Sequence, residues 1–283
     1  MKRLDRRIII DKCFKYCVIT ISVLALAPLF HIVFSVIIWG GKTLFKAGIG
    51  FLYDLPPSPL STRIGGIGPS LLGTFLLMIT TTAIGLPLAF LAAVLTVEFP
   101  NSIIARLTSL LTRSFMEIPT ILISILIYTI VVIPTGGFSA IAGAVALSIV
   151  SLPYMYTYIE NSLASIPQTY REAAYALGLT KVKALFHIFV GIARRGIVTG
   201  LLIGLAKASG ETAPLLFTIG GSKHFYFQGL DKPIDAIPLL IYEFAQTPYR
   251  IYHEVAWGAA LVLLLIYLGI FAILRLLVKE VKL

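Results

Sequence analysis

The feature that most limits this chain is contiguity, because its apolar residues fall in runs long enough to cross a bilayer. Six such runs stand out, at about 17–38, 69–97, 114–134, 139–159, 196–219 and 256–277. A hydrocarbon core of about 30 Å needs roughly 20 residues of helix. Backbone amides inside that core must pair within their own segment, which selects helices over open strands. With 58% hydrophobic and only 13% charged residues, the 283-residue chain lacks the polar surface of a soluble domain. The expected fold is all-α, a polytopic membrane protein with six transmembrane helices.

Charge distribution fixes the expected orientation. Apart from Lys207, which falls inside a helix, only Lys42, Lys46, Arg63, Lys223, Lys232 and Arg250 of the 23 basic residues lie in alternate, outer segments. The remainder, from Lys2 to Lys282, gather at the chain ends and in the intervening inner loops. Lys and Arg accumulate on the cytoplasmic side of membrane proteins, so both termini are expected in the cytoplasm of a cell-membrane protein. The net charge of +10 is thereby a topology signal and does not point to nucleic acid. Cys13 and Cys17 share one helix face without a second pair or a His cluster, which argues against a metal or redox role. The first run continues past Ala25-Leu26-Ala27 and Pro28 to Trp39, too long for a signal-peptide core, and reads as an uncleaved anchor. His31 and Pro28 within it read as packing or kink features.

This divides the chain into an anchor helix with a Gly- and Pro-rich outer loop over 1–68, and a transmembrane domain over 69–283. The latter carries a basic inner loop at 160–195 and an aromatic outer loop at about 220–255. Gly41-Lys42-Thr43 has the ending of a phosphate-cradling loop, but Val36 stands where the motif needs glycine, and the triplet is on the outer side. The chain is not expected to bind nucleotide itself. In the inner loop, Ala173 and Ala174 begin a short helix, Gly178 ends it, and Thr180 caps another. Helix, turn, helix also describes a DNA-binding unit. Between two membrane spans, the pattern reads better as a surface helix pair that docks a cytosolic partner.

Lys207 and Glu211 lie inside the fifth run. Counted from Gly196, Lys207 is about 17 Å along a helix, near the middle of the span. A charge there costs about 2.5–3.5 kcal/mol on insertion scales, and such residues persist where they face protein or a wet path. The pair is i,i+4, so mutual neutralisation competes with a pathway or gating role. Lys preceding Glu is the weaker helical order, and Pro214 deprives the Gly210 carbonyl of its usual donor.

Glu172-Ala173-Ala174, then Gly178 and Ile188, resembles the coupling-helix loop of permeases in ABC importers. That loop usually ends on proline where this chain has Gly191. Gly210-Glu211-Thr212-Ala213-Pro214-Leu215-Leu216-Phe217-Thr218 is similar to the fifth-helix signature of the A-type permease of phosphate importers. Blocks around Gly65–Ile67, Gly73-Thr74, Pro87–Glu98, Ala236–Tyr242 and Ala256–Leu261 resemble the same family in the same order. Where that family has arginine four residues before the glutamate, this chain has Lys207. Thr157 and Asn161 stand in place of its usual arginine and second glutamate.

The resemblance implies a permease subunit of an ATP-driven phosphate importer, with no catalytic residue of its own. Glu172, Ala173, Ala174 and Gly178 are expected to dock the ATPase. Lys207, Glu211, Thr212 and Pro214 are expected to line the translocation path or gate. The implied partners are a second permease subunit, two ATP-binding subunits that hold ATP and Mg, and an external phosphate-binding protein. Lysine cannot clamp phosphate bidentately as arginine does, so another oxyanion such as sulfate or molybdate is the alternative substrate. An ion-coupled secondary transporter would carry inverted repeats, and none is apparent.

Overall fold

The computed structural model describes residues 2–277, with side chains over 10–273. Of the basic residues expected on the inner face, Lys279 and Lys282 lie outside the described residues. Thirteen α-helices follow in order among them: α1 (Lys2–Ser35), α2 (Gly41–Ala47), α3 (Gly68–Glu98), α4 (Ile103–Ser114), α5 (Thr120–Ile127), α6 (Ile133–Thr135), α7 (Ala140–Ala164), α8 (Gln168–Ala176), α9 (Lys181–Ala184), α10 (Val190–Ser209), α11 (Ala213–Leu216), α12 (Ile237–Ala245) and α13 (Arg250–Leu277). Single π-helical turns at Val36–Gly40, Tyr128–Val132 and Leu185–Phe189 join α1 to α2, α5 to α6 and α9 to α10 into longer rods. The described residues contain one isolated β-bridge, between Gly220 and Ile234.

Five continuous helical stretches are long and apolar enough to cross a membrane, at Ile10–Leu52, Gly68–Glu98, Ala140–Ala164, Lys181–Ser209 and Arg250–Ile273. The sixth apolar segment, Thr120–Thr135, is shorter. It ends where Gly136 takes the left-handed conformation at φ 77°. Ser139 then caps α7, its hydroxyl accepting from the Ala142 amide at 3.2 Å.

The centre of the bundle is α7, packed between α3 and α10. Water cannot drive helices together inside lipid, so close approach of small residues does much of the work. Gly196, Gly200 and Gly204 recur one turn apart on the face of α10 that meets α7. A Cβ at Gly200 would come within 3.0 Å of the Met155 carbonyl, and one at Gly204 would overlap the Met155 side chain. On the other side, Gly85 lies against Ser148, whose hydroxyl donates to the Thr81 carbonyl at 3.1 Å. Met155, Tyr156, Ile159 and Leu163 of α7 are fully buried in the resulting cluster. By contrast α1 is exposed along its apolar length, including His31 and the residues around Pro28, and the rod it begins meets α13 through the π turn at Val36–Gly40 and α2.

The fifth span differs from its expected bounds. It starts at Lys181 and stops at Ser209, and the chain breaks before the short helix α11. The loop between α7 and the fifth span is accordingly compact. Helix α8 starts at Gln168, well before Ala173, because Pro167 pushes the chain ahead of it away from helix and itself supplies the extended residue from which α8 begins.

At the opposite end, the loop over 217–236 folds back on α3. Gly73 lets the Asp235 backbone pass so closely that a Cβ would overlap its carbonyl oxygen. Asp235 is 1% exposed, accepts from the Ser70 hydroxyl, and lies 3.9 Å from the Lys223 ammonium, which also pairs with Glu243. Burial pushes the Asp235 carboxyl above the usual carboxylate range, and Lys223 and Ser70 oppose that shift.

Candidate functional site

The inner-loop site is a short amphipathic helix held by one face. Ala174 is 2% exposed and joins the buried cluster beneath α8. Glu172 and Ala173 point outward with Tyr170 and Leu177, the latter 80% exposed. Gly178 is left-handed at φ 77° with open space around it, so conformation and not crowding requires glycine there. The chain then turns into α9, where the Thr180 hydroxyl accepts from the Lys183 amide at 3.4 Å. An exposed face and a left-handed turn are thus presented together.

Two residues outside the expected set tie this helix to the bundle. Arg171 of α8 pairs with Glu98, the last residue of α3, and both side chains are largely buried, at 12% and 5% exposure. The same guanidinium donates to the Leu163 carbonyl near the end of α7 at 3.0 Å, and stacks over the Phe189 ring at 4.9 Å. Three spans therefore meet on one side chain. Lys181 adds to the cluster over the Phe99 ring. The available signal was Glu98 itself, since a carboxylate on the last residue of a helix opposes the macrodipole and needs a nearby cation. A polar cavity of about 890 Å³ opens beside this cluster, and across it Arg113 pairs with Glu160 at 3.1 Å.

The second site lies at the break in the fifth span. Lys207 is in the last turn of α10 and pairs with Glu211 beyond the break. A helix C-terminus favours a cation in that turn. The pair therefore bridges two segments and does not lie along one continuous helix, so the expectation drawn from helical Lys-before-Glu order does not apply. Lys207 sits 5.5 Å from the centre of the Tyr154 ring, near the middle of α7, where the ring face attracts the ammonium. Glu211 also accepts from the Thr120 hydroxyl at 3.2 Å, reaching the first residue of α5. Thr212 precedes α11, and its carbonyl accepts from the Leu215 amide at 3.0 Å. Pro214 is buried, and its carbonyl accepts from Ser124 of α5 at 3.1 Å and from Thr218. These side-chain donors satisfy the Pro214 carbonyl within the short helix α11. Lys207 thus lies close to the end of the fifth span and not near its middle as the count from Gly196 has it, and the pair, with 31% and 17% side-chain exposure, faces open space where the span stops.

The two sites are not one constellation. From Lys181 to Lys207 the fifth span covers about 39 Å of helix at roughly 1.5 Å per residue, so they communicate only through the bundle.

Comparison with known proteins agrees with this architecture. The chain is 45% identical over 274 residues to a probable phosphate transport system permease protein PstA of Methanocaldococcus jannaschii, covering 97% of this chain and 95% of that protein. It is 34% identical over 225 residues to the phosphate transport system permease protein PstA of Yersinia pestis, covering 79% and 76%. Among solved structures, the inward-facing MetNI methionine ABC transporter has a chain that superposes with a TM-score of 0.57 at 21% identity, over 76% of this chain and 95% of that one. An amino acid ABC transporter with histidines gives a TM-score of 0.51 at 19% identity, over 72% and 88%. Residues 85–283 match the family described as binding-protein-dependent transport system inner membrane component, and the chain, a multi-pass membrane permease of the ABC importer type, belongs to that family.

Proposed function

We propose that this chain is one permease subunit of an ATP-driven importer of inorganic phosphate. The observation that carries the coupling role is Arg171, which joins the exposed helix α8 to α3, α7 and the start of the fifth span. A push on α8 by an attached ATPase then reaches three spans as one movement. ATP and Mg belong to two ATP-binding subunits, a second permease completes the path, and an external binding protein delivers the substrate. Both termini and α8 lie on the cytoplasmic side, in keeping with the distribution of basic residues. The chain divides functionally into the anchor with its outer loop over 1–68 and the transmembrane domain over 69–283.

Phosphate as substrate is supported by the names of the relatives and by the Lys207 ammonium at the break. Lys207 lowers the cost of bringing an anion into low dielectric, while Glu211 beside it prevents the anion from lodging there. Thr212 and Pro214 shape the break. The test is uptake of labelled phosphate by proteoliposomes holding the complete complex and its binding protein. Unlabelled phosphate should abolish labelled uptake, and excess sulfate or molybdate should leave it unchanged. Competition by sulfate or molybdate instead would reassign the substrate.

A further inference from the structure

We propose that the outer end of the first and last spans forms a binding site for one anionic phospholipid, with its phosphate in a basic groove and a tail in an adjoining apolar cavity. The groove, about 220 Å³, runs between α2 and α13 and is lined by Trp39, Lys42, Lys46, Arg250 and Trp257. These are both tryptophans of the chain. Lys42 lies 4.4 Å from the centre of the Trp39 ring and has no acidic partner among the described residues. Lys46 and Arg250 share one carboxylate, Glu254, at 3.2 and 3.3 Å. Three basic side chains thus face a single carboxylate, which leaves a net positive groove. Half of the basic residues expected on the outer side are here, against the general depletion of such residues on that face.

The groove is built rather than accidental. Gly40 lets the first span cross the last one so closely that a Cβ would come 2.6 Å from both Leu261 and the Trp257 carbonyl. The Thr43 hydroxyl donates to the Glu254 carbonyl at 2.9 Å, fixing α2 against α13. A π turn ends at Gly40 and sets the direction in which Trp39 and Lys42 project.

The second cavity decides the class of ligand. About 250 Å³ of space between α12 and α13 is lined by Ile241, Ala256 and Ala260, and it shares His253 and Trp257 with the groove. It extends to Ala260, about 10 Å farther into the span than His253 at helical rise. A free anion has no use for such a slot, whereas a lipid needs both parts. Trp near the end of a span is also the residue type that suits the headgroup boundary. Below Trp39, the apolar residues Ile32, Phe34 and Ile37 of the same helical rod are exposed, so the groove continues an apolar surface. The inference rests on membrane placement and is independent of the transported substrate.

The test is native mass spectrometry of the assembled complex after exchange into phosphatidylglycerol or phosphatidylcholine. The wild type should retain one phosphatidylglycerol per copy of this chain after phosphatidylcholine has been stripped. A Lys42→Ala, Arg250→Ala double variant should lose about thirtyfold in retention. Excess inorganic phosphate should not displace the lipid. Equal retention by the variant, equal retention of phosphatidylcholine, or displacement by inorganic phosphate would each overturn the proposal. If the variant fails to assemble, a photoactivatable phosphatidylglycerol applied to the wild-type complex gives the answer. Adducts should map to peptides holding Trp39–Lys46 and Arg250–Ala260. Adducts elsewhere, or cross-links from these peptides to the second permease or the binding protein, would refute it.

Discussion

Arg171 and Glu98 lie against each other where the exposed helix α8 meets the end of α3, with both side chains largely withdrawn from solvent. Their sequence separation is 73 residues, so the pair exists only because α3 and the inner loop converge. Removing one partner of a buried ion pair leaves an unpaired charge and costs about 3–5 kcal/mol. Arg171→Met or Glu98→Gln alone should therefore lower the yield of assembled complex. The double variant should assemble at near wild-type yield yet transport less substrate per ATP hydrolysed. A wild-type transport-to-hydrolysis ratio in the double variant would reduce the pair to a structural role.

Gly178 lies in the turn just after α8. Its φ is 77°, where a β-branched side chain is strained by about 1–3 kcal/mol. No neighbour lies near enough to clash, so Gly178→Val should disturb the turn without disturbing the spans. Membrane insertion should be normal, while uptake and transport-linked ATP hydrolysis fall together. Full uptake by a well-expressed variant would mean that the turn does not transmit motion.

Lys207 and Glu211 invite a test that separates charge balance from transport. Lys207→Met should stop uptake while ATP hydrolysis by the complex continues. Combining it with Glu211→Gln removes both charges and any penalty for an unpaired one. If the pair serves the path, the double variant assembles and remains inactive. Recovery of uptake in that variant would leave the pair as a neutral packing device across the broken span.

Asp235 supplies a pH dependence of known sign. Its carboxyl is raised in the folded chain by burial, so the folded state favours the protonated form. The stability it contributes is complete below the ordinary carboxylate pKa of about 3.9, and is lost as pH rises through the higher folded value. Thermal stability of the complex in nanodiscs should therefore decline over that interval more steeply in the wild type than in Asp235→Asn. Equal slopes would show that Lys223 and Ser70 fully offset the burial.

Orientation is open to direct labelling. In a background lacking Cys13 and Cys17, single cysteines at Ser58 and Lys232 should react with an impermeant thiol reagent added outside intact cells. One at Lys181 should react only after permeabilisation. All three positions are exposed, so access and not burial decides the result. The opposite pattern would invert the chain and remove α8 from the ATPase side.

The class of molecule was legible in the amino-acid order alone, because a bilayer imposes a length and an internal hydrogen-bonding rule that a one-dimensional pattern can record. Apolar runs, the break residues around Pro214 and the left-handed position at Gly178 are local properties, visible without knowing any neighbour. Glu172 to Gly178 was readable for the same reason, since a short helix and its stop signal are written in adjacent residues. Helix limits were less so: the fifth span begins at Lys181, because basic residues at a span end can remain helical while reaching water. Which distant residues meet was settled by the folded bundle. Arg171 finds Glu98 through the convergence of three spans, Glu211 reaches Thr120 across a broken helix, and Trp39 joins Trp257 because Gly40 allows two helices to touch. Such pairings depend on crossing angles and close approach between helices, which no periodicity along one segment encodes.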